Sequence, residues 1–256
     1  MSSYIERHAE LYDLFYADKP YAREAAFVSE RLVEAGARPN ARILELACGT
    51  GRHAFEMEKL GYQVVGTDYS SGMLACAART KQRARSGVEF LEMDMRRLEV
   101  GGPPFDAVVS LFDSIGYVQT NEAVLQVLTG AHRHLRPDGV LLIEFWHAAA
   151  MLRSFDPVRV RRFSVPGGEI IRTSETSLDV ARQTASVKYT IIELADDGSA
   201  RRLEETQTNR YFLVQEMAAW LDRAGFEPLR WCSGFDVARP IDSDTWHVVA
   251  VARRRG

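Results

Sequence analysis

The chain has 256 residues, 46% of them apolar and 26% charged, with a formal net charge of −3. Twelve Phe, nine Tyr and four Trp supply a core, so a predominantly disordered chain is excluded, and the length suits one sizeable domain with an elaborated cap. The slight acidic excess argues against a dedicated nucleic-acid binder, and the Arg253-Arg254-Arg255 terminus is too short to change that.

From Ala41 to Trp146 short β-rich runs alternate with helical stretches. Arg42–Ala47 (RILELA) reads as a buried strand, and Arg52–Leu60 as a helix ending at Gly61. Gln63–Thr67 is a second strand, followed by a helix with Ser70 or Ser71 as N-cap. Val88–Leu91 and Phe105–Leu111 are a third and fourth strand. Asn121–Leu135 is a helix broken by the turn Arg136-Pro137-Asp138-Gly139, and Val140–Trp146 a fifth strand. Continuously apolar strands alternating with helices predict a parallel sheet covered on both faces. After about residue 155 the rhythm changes. Glu169–Leu178, Thr184–Glu193 and Arg202–Phe212 read as three long strands, with Asp197-Gly198 as a turn between the second and third. Gln215–Ala224 returns to helix before Gly225, and last strands are expected near Phe226–Cys232 and Thr245–Val251.

The most apolar run, Val140–Leu152, is interrupted by Glu144 and His147 and falls short of the ~20 residues that span a bilayer. The start, MSSYIERHAE, has no basic patch followed by an apolar stretch, so no secretory signal is expected. Cys48, Cys76 and Cys232 are an odd set without paired spacing, which predicts reduced thiols in a cytoplasmic protein.

The stretch Glu45-Leu46-Ala47-Cys48-Gly49-Thr50-Gly51 joins the first strand to the first helix. Two glycines one residue apart let backbone approach a ligand closely, and the helix N-terminus behind them can hold a carboxylate. Asp68 ends the second strand, placed to accept both hydroxyls of a ribose. A glycine turn with a ribose-binding acid predicts a nucleoside-type cofactor at the carboxyl edge of the sheet. A dinucleotide site wants G-x-G-x-x-G, whereas here A-x-G-x-G runs into bulky Arg52 and His53.

That pattern resembles motif I of the class I S-adenosylmethionine-dependent methyltransferases. Glu92-Met93-Asp94-Met95 resembles the same family's adenine-binding acidic turn, and Leu135-Arg136-Pro137-Asp138-Gly139-Val140 its segment before the fifth strand. A narrower resemblance rests on Tyr4, Glu10–Leu14, Tyr21–Ala26, Ser114-Ile115-Gly116-Tyr117 and Ile143–His147. Those runs are similar to the N,N-dimethyltransferases of nucleotide-linked amino-deoxysugars in antibiotic biosynthesis. The resemblance implies a Rossmann-like α/β fold, a seven-stranded mixed sheet with an antiparallel β cap insertion. It divides the single domain into an N-terminal helical lid (1–37), a cofactor-binding core (38–150), the cap (155–212) and a C-terminal helix with the last core strands (213–256).

The resemblance implies S-adenosyl-L-methionine as cofactor and a small-molecule methyl acceptor, most simply an amino group on a natural-product precursor. Tyr12, Tyr21 and Arg23 would close over the methionine end, with Arg23 on its carboxylate. Ala47, Gly49, Gly51, Asp68, Tyr69, Met73, Asp94, Met95 and Leu111 would line the cofactor, and Tyr4 and Tyr117 would flank the acceptor. His147, Asp113 and Phe145 depart from the family pattern, which allows a differently shaped acceptor.

Methyl transfer from a sulfonium is mostly a matter of alignment, and an amine must also lose a proton before it attacks. His147 is the candidate base, set against a histidine satisfied in the first turn of the helix that follows it. Tyr117 and Tyr4 are the other candidate catalytic groups, against packing and a frayed terminus respectively. Trp146 and Glu144 are candidate acceptor contacts. Arg159, Arg161 and Arg162 could clamp a diphosphate or form a solvated strand edge. O- or C-methylation of a small aromatic is the alternative, and a nucleotide-binding oxidoreductase a more distant one. The scattered histidines give no metal site, and there is neither a G-x-S-x-G elbow nor a phosphate loop. Leu111-Phe112-Asp113-Ser114 stands where DNA-base and glutamine N-methyltransferases carry [DN]-P-P-[YF]. No nucleic acid or membrane partner is expected, and the cap's free edges could pair two copies into a dimer.

Overall fold

The computed structural model describes residues 2–38 and 40–256, with side chains from Ala9 onward. Strands β1 (Arg42–Leu46), β2 (Gln63–Asp68), β3 (Glu89–Glu92), β4 (Phe105–Ser110) and β5 (Leu135–Trp146) pair in parallel. β10 (Phe226–Ser233) and β11 (His247–Arg254) complete the sheet antiparallel, giving the order β10-β11-β5-β4-β1-β2-β3. Apolar residues occupy successive positions because both faces are covered. Ile43, Ala107, Val109 and Leu142 pack under α2 (Tyr21–Glu34) and α3 (Arg52–Lys59). Leu44, Val108, Leu141 and Ile143 pack under α5 (Asn121–His134) and α7 (Val214–Arg223). Ile43, Leu44 and Val108 have no exposed surface, and such burial contributes roughly 1.5–3 kcal/mol per side chain. The strand order reverses at β1, between β2 and β4, which places the ligand crevice at the carboxyl ends of those strands.

Two boundaries differ from the sequence reading. The Arg136–Gly139 turn is an extra loop of backbone inside β5. Leu135 pairs with Phe105 and Val140 with Ala107, so all four residues bulge out opposite Asp106. Asp106 then gathers Arg136 Nε at 2.7 Å and Arg38 at 3.0 Å. The cap has four strands where the sequence suggested three: β6 (Val158–Val165), β7 (Gly168–Asp179), β8 (Thr184–Ala195) and β9 (Ala200–Arg210), in that order. β6 carries the Arg159–Arg162 run and is an exposed edge strand of the cap, the solvated strand edge that is one of the two readings of that run.

The cap's inner face meets α1 (Ser2–Phe15), whose Leu11 and Phe15 bury against Ile170, Ile191 and Leu203. The cap is tied to the core at two backbone approaches. Phe212 forms a bridge with His147, and a Cβ at Gly116 would fall 2.7 Å from the carbonyl of Arg210. Among the described residues no helix is long and apolar enough to cross a membrane.

Candidate active site

The turn after β1 is built on left-handed backbone at Ala47, Gly49 and Gly51. At Gly49 an added Cβ would meet nothing within 4 Å, so the turn faces open space. Gly51 does a different job from the one expected. It lines none of the three chambers described below, and as the first cap of α3, at φ +79°, its missing side chain lets the Phe90 ring approach to 2.6 Å of a notional Cβ. The Gly49 amide donates to Asp68 Oδ2 at 2.7 Å, and the Ser70 amide to Oδ1 at 2.8 Å. Burial pushes the Asp68 carboxyl up while these N–H donors pull it back, and they lock the carboxylate at the crevice.

Three chambers meet at Tyr12 and Phe112, which line all of them. The first, about 500 Å³, runs along Ala47, Gly49, Asp68, Tyr69, Met73, Asp94 and Met95, eight of the predicted cofactor residues when Tyr12 is included. The second, about 590 Å³, lies under the cap. The third is a recess of about 30 Å³ beneath the glycine turn, lined by Tyr21, Leu111, Glu45, Arg52 and His53. Tyr117 is shared by the first two chambers. The Tyr4 side chain lies outside the described residues.

The recess carries the polar groups a zwitterionic tail needs. Glu45 Oε2 and Tyr21 Oη are buried without a hydrogen-bond partner. Glu45, wholly enclosed and near Asp68, is pushed up to about 8 by burial. Thr50 Oγ1 donates to Asp13 at 2.7 Å, tying α1 to the turn. Arg23 is exposed and lines none of the chambers, because its position on α2 points outward, away from buried Glu24. The guanidinium at the recess is that of Arg52, 4.8 Å over the Tyr21 ring. Asp94 lines the first chamber, yet its carboxylate is gripped by the Arg96 side chain, which holds it below the usual range.

The second chamber gathers Trp146, Arg159 and Arg161 as expected, and adds Arg172, Tyr189, Trp246 and His247. Arg162 points from the opposite face of β6 and pairs with Glu169 at 3.3 Å. His147 is not at the chamber. It is buried at the start of α6 (Ala148–Ser154), with Nδ1 3.1 Å from the Thr245 carbonyl, and the bridge to Phe212 turns it away from the crevice. Glu144, fully buried on β5, accepts the Phe112 amide and lies 3.4 Å from His247 Nδ1. His247 Nδ1 is 2.8 Å from Asp113, whose backbone, like that of Phe112, is left-handed. Burial alone would lower His247, but the Asp113 and Glu144 carboxylates push it up to about 9. Glu144 is raised by burial and by Asp113.

The sequence could not single out Phe112, Arg172 or His247, because none stands in a motif. Each matters only through partners far along the chain.

Comparison with known proteins agrees with this geometry. The methyltransferase-domain family matches residues 43–139. YqeM of Bacillus subtilis (strain 168), named only as a methyltransferase, is 30% identical over 91% of this chain and 90% of its own. The dTDP-3-amino-3,6-dideoxy-alpha-D-glucopyranose N,N-dimethyltransferase of Streptomyces fradiae is 31% identical over 74% of this chain and 72% of its own. Among solved structures, CalS10, an amino pentose methyltransferase from Micromonospora echinaspora with S-adenosylmethionine bound, superposes with a TM-score of 0.76 at 27% identity, covering 95% of this chain and 96% of that one. With the glycine turn, Asp68 and the strand order already in place, the chain belongs to the class I S-adenosylmethionine-dependent methyltransferases.

Proposed function

We propose that this enzyme methylates the nitrogen of an amine on a small molecule with an anionic tail, a nucleotide-linked amino sugar being the concrete case. The observation that carries this is the charge separation of the second chamber. Arg161, Arg172 and Arg159, the last paired with Asp156 at 2.9 Å, line its cap side, and Asp113, backed by Glu144, its floor beside Phe112. Arg161 and Arg172 stand directly opposite each other on paired strands, an arrangement that costs stability unless an anion lies between them. Arg172 stacks on Tyr16 and Tyr189, and Arg161 has no carboxylate partner among the described residues. Relatives named for dTDP-amino sugars support the same class of acceptor.

In this reading the cofactor supplies an activated methyl group. The first chamber and recess would hold it through Asp68, Tyr69, Met73, Met95, Tyr21 and Arg52, and α1 would lie over it as a lid carrying Tyr12. Tyr117, at the junction of the chambers, would orient the acceptor, and closure would exclude water from the line of attack. The aromatic walls Trp146, Trp246 and Tyr189 favour a second reading, a flat phenolic acceptor.

Mass spectrometry after incubation with S-adenosylmethionine and a panel of dTDP-amino sugars, plain amines and phenols decides between them. A gain of one or two methyl units on the sugars is expected, and a gain on phenols alone sinks the amine reading. With the sugar substrate, Arg161→Ala should raise KM about tenfold and leave kcat within about twofold, the loss of a charged hydrogen bond. For the cofactor, Arg52→Ala should weaken S-adenosylhomocysteine about tenfold by calorimetry while Arg23→Ala stays within about twofold. The reverse order would return the carboxylate to Arg23.

A further inference from the structure

We propose that His247 accepts the proton that the acceptor nitrogen sheds, with Asp113 as the residue that positions it. The inference rests on the amine reading above and deepens it.

The geometry is that of a held imidazole. Nδ1 donates to Asp113 at 2.8 Å, which in the neutral ring fixes the tautomer and leaves Nε2 as the accepting atom. Nε2 has no hydrogen-bond partner among the described residues, and the ring lines the acceptor chamber with 41% of its side chain exposed. Asp113 follows Phe112, which lines both the first and the second chamber, and the dyad itself lines the second. Two consecutive non-glycine residues in left-handed backbone, Phe112 and Asp113, are needed to aim this carboxylate, a strain of the kind stored at functional sites. Glu144 closes the arrangement from beneath, holding the strained turn through the Phe112 amide. The charged groups facing the ring are Asp113, Glu144 and, more remotely, Lys19, itself paired with Glu24.

The step balances as follows. The acceptor N–H bond breaks with its proton passing to Nε2. The nitrogen lone pair forms the new N–CH₃ bond, the C–S pair returns to sulfur, and the imidazolium releases its proton to solvent through the chamber. An imidazole made more basic by Asp113 is matched to an aliphatic ammonium, so proton transfer is close to thermoneutral.

The test uses the whole chain, an amine from the panel that is methylated, and His247→Gln, His247→Ala and Asp113→Asn. Expected is a kcat/KM about 10²-fold lower for both His247 variants, with S-adenosylhomocysteine affinity unchanged within about threefold. In wild type the imidazole, followed by NMR of ¹³C-labelled histidine with S-adenosylhomocysteine bound, should titrate well above 6.5. In Asp113→Asn it should fall by at least about one pH unit, and the alkaline rise of kcat/KM should move down with it. Rates within about threefold in both His247 variants overturn the proton role and leave amine methylation standing. Titration at or below 6.5 does the same. Tight binding of Zn²⁺ or Mn²⁺ that His247→Gln abolishes would assign the cluster to a metal and overturn it too. No transfer to any amine overturns both readings.

Discussion

Asp68→Ala is expected to raise the dissociation constant for S-adenosylhomocysteine by about 10²-fold, measured by calorimetry at pH 7.5. The carboxylate lies at the chamber wall with one N–H donor on each oxygen, which leaves a lone pair on each for a ribose hydroxyl. Two hydrogen bonds to a charged acceptor at roughly 1.5–3 kcal/mol each would exceed that loss, and incomplete exclusion of water brings it down. The substitution also frees the Gly49 amide and loosens the turn. Asp68→Asn separates the two contributions, because an amide oxygen can still receive the Gly49 N–H while only half the ribose contact survives. It should fall between wild type and alanine. Asp94→Asn is the internal control: with its carboxylate already committed to Arg96, it should cost no more than about threefold. A larger loss at Asp94 than at Asp68 would mean the adenine, not the ribose, anchors the cofactor.

The core was legible because its signals are local. RILEL, the two glycines and Asp68 lie within one strand-turn-helix-strand unit, and the structure places Ala47, Gly49 and Asp68 around one chamber. The cap was legible as strands but not in number, since three arginines within Arg159–Arg162 interrupt the apolar alternation of the exposed β6. The acceptor side was the least legible. His147 and His247 each follow a tryptophan, but only His147 stands at the carboxyl end of an expected parallel strand, so it alone was legible as a candidate. Their difference is tertiary. β11 lies antiparallel to β5, and the register pairs His247 with Trp146, one residue short of His147. That places His247 at the crevice beside Asp113 and Glu144, whereas His147 is held by the Thr245 carbonyl. Arg23 lies outside the chambers for a similar reason: the helix phase gives the inward positions to Tyr21, Glu24 and Val28. The cation at the recess comes from α3.

The thermal midpoint of the ligand-free enzyme should fall by about 5 °C or more between pH 6.5 and pH 8.5. Glu45 and Glu144 are both enclosed, and both are raised above their unfolded value by burial, Glu45 to about 8. Over this range the folded state holds protons on these carboxyls that the unfolded chain has lost, so stability declines as pH rises. His247 acts with the same sign, chiefly through Asp113, because Glu144 is neutral over the lower part of this window. Its folded value of about 9 gives stability that is complete below about 6.5 and gone as pH passes 9, although its opening to the chamber screens the effect. His53 and His132, lowered by burial, have the opposite slope, which fades as pH climbs past the unfolded histidine value at the lower edge of this window. One differential proton changes stability by at most about 1.4 kcal/mol per pH unit. At roughly 2–4 °C per kcal/mol for a chain of this size, two partly titrating carboxyls account for the expected fall. Glu45→Gln keeps the shape of the neutral carboxyl and removes its titration, so differential scanning calorimetry should show a flatter profile, with the variant the more stable of the two at pH 8.5. A wild-type midpoint that is level or rises across this window would mean that Glu45 and Glu144 are ionised in the folded enzyme, with their charges met by donors around each.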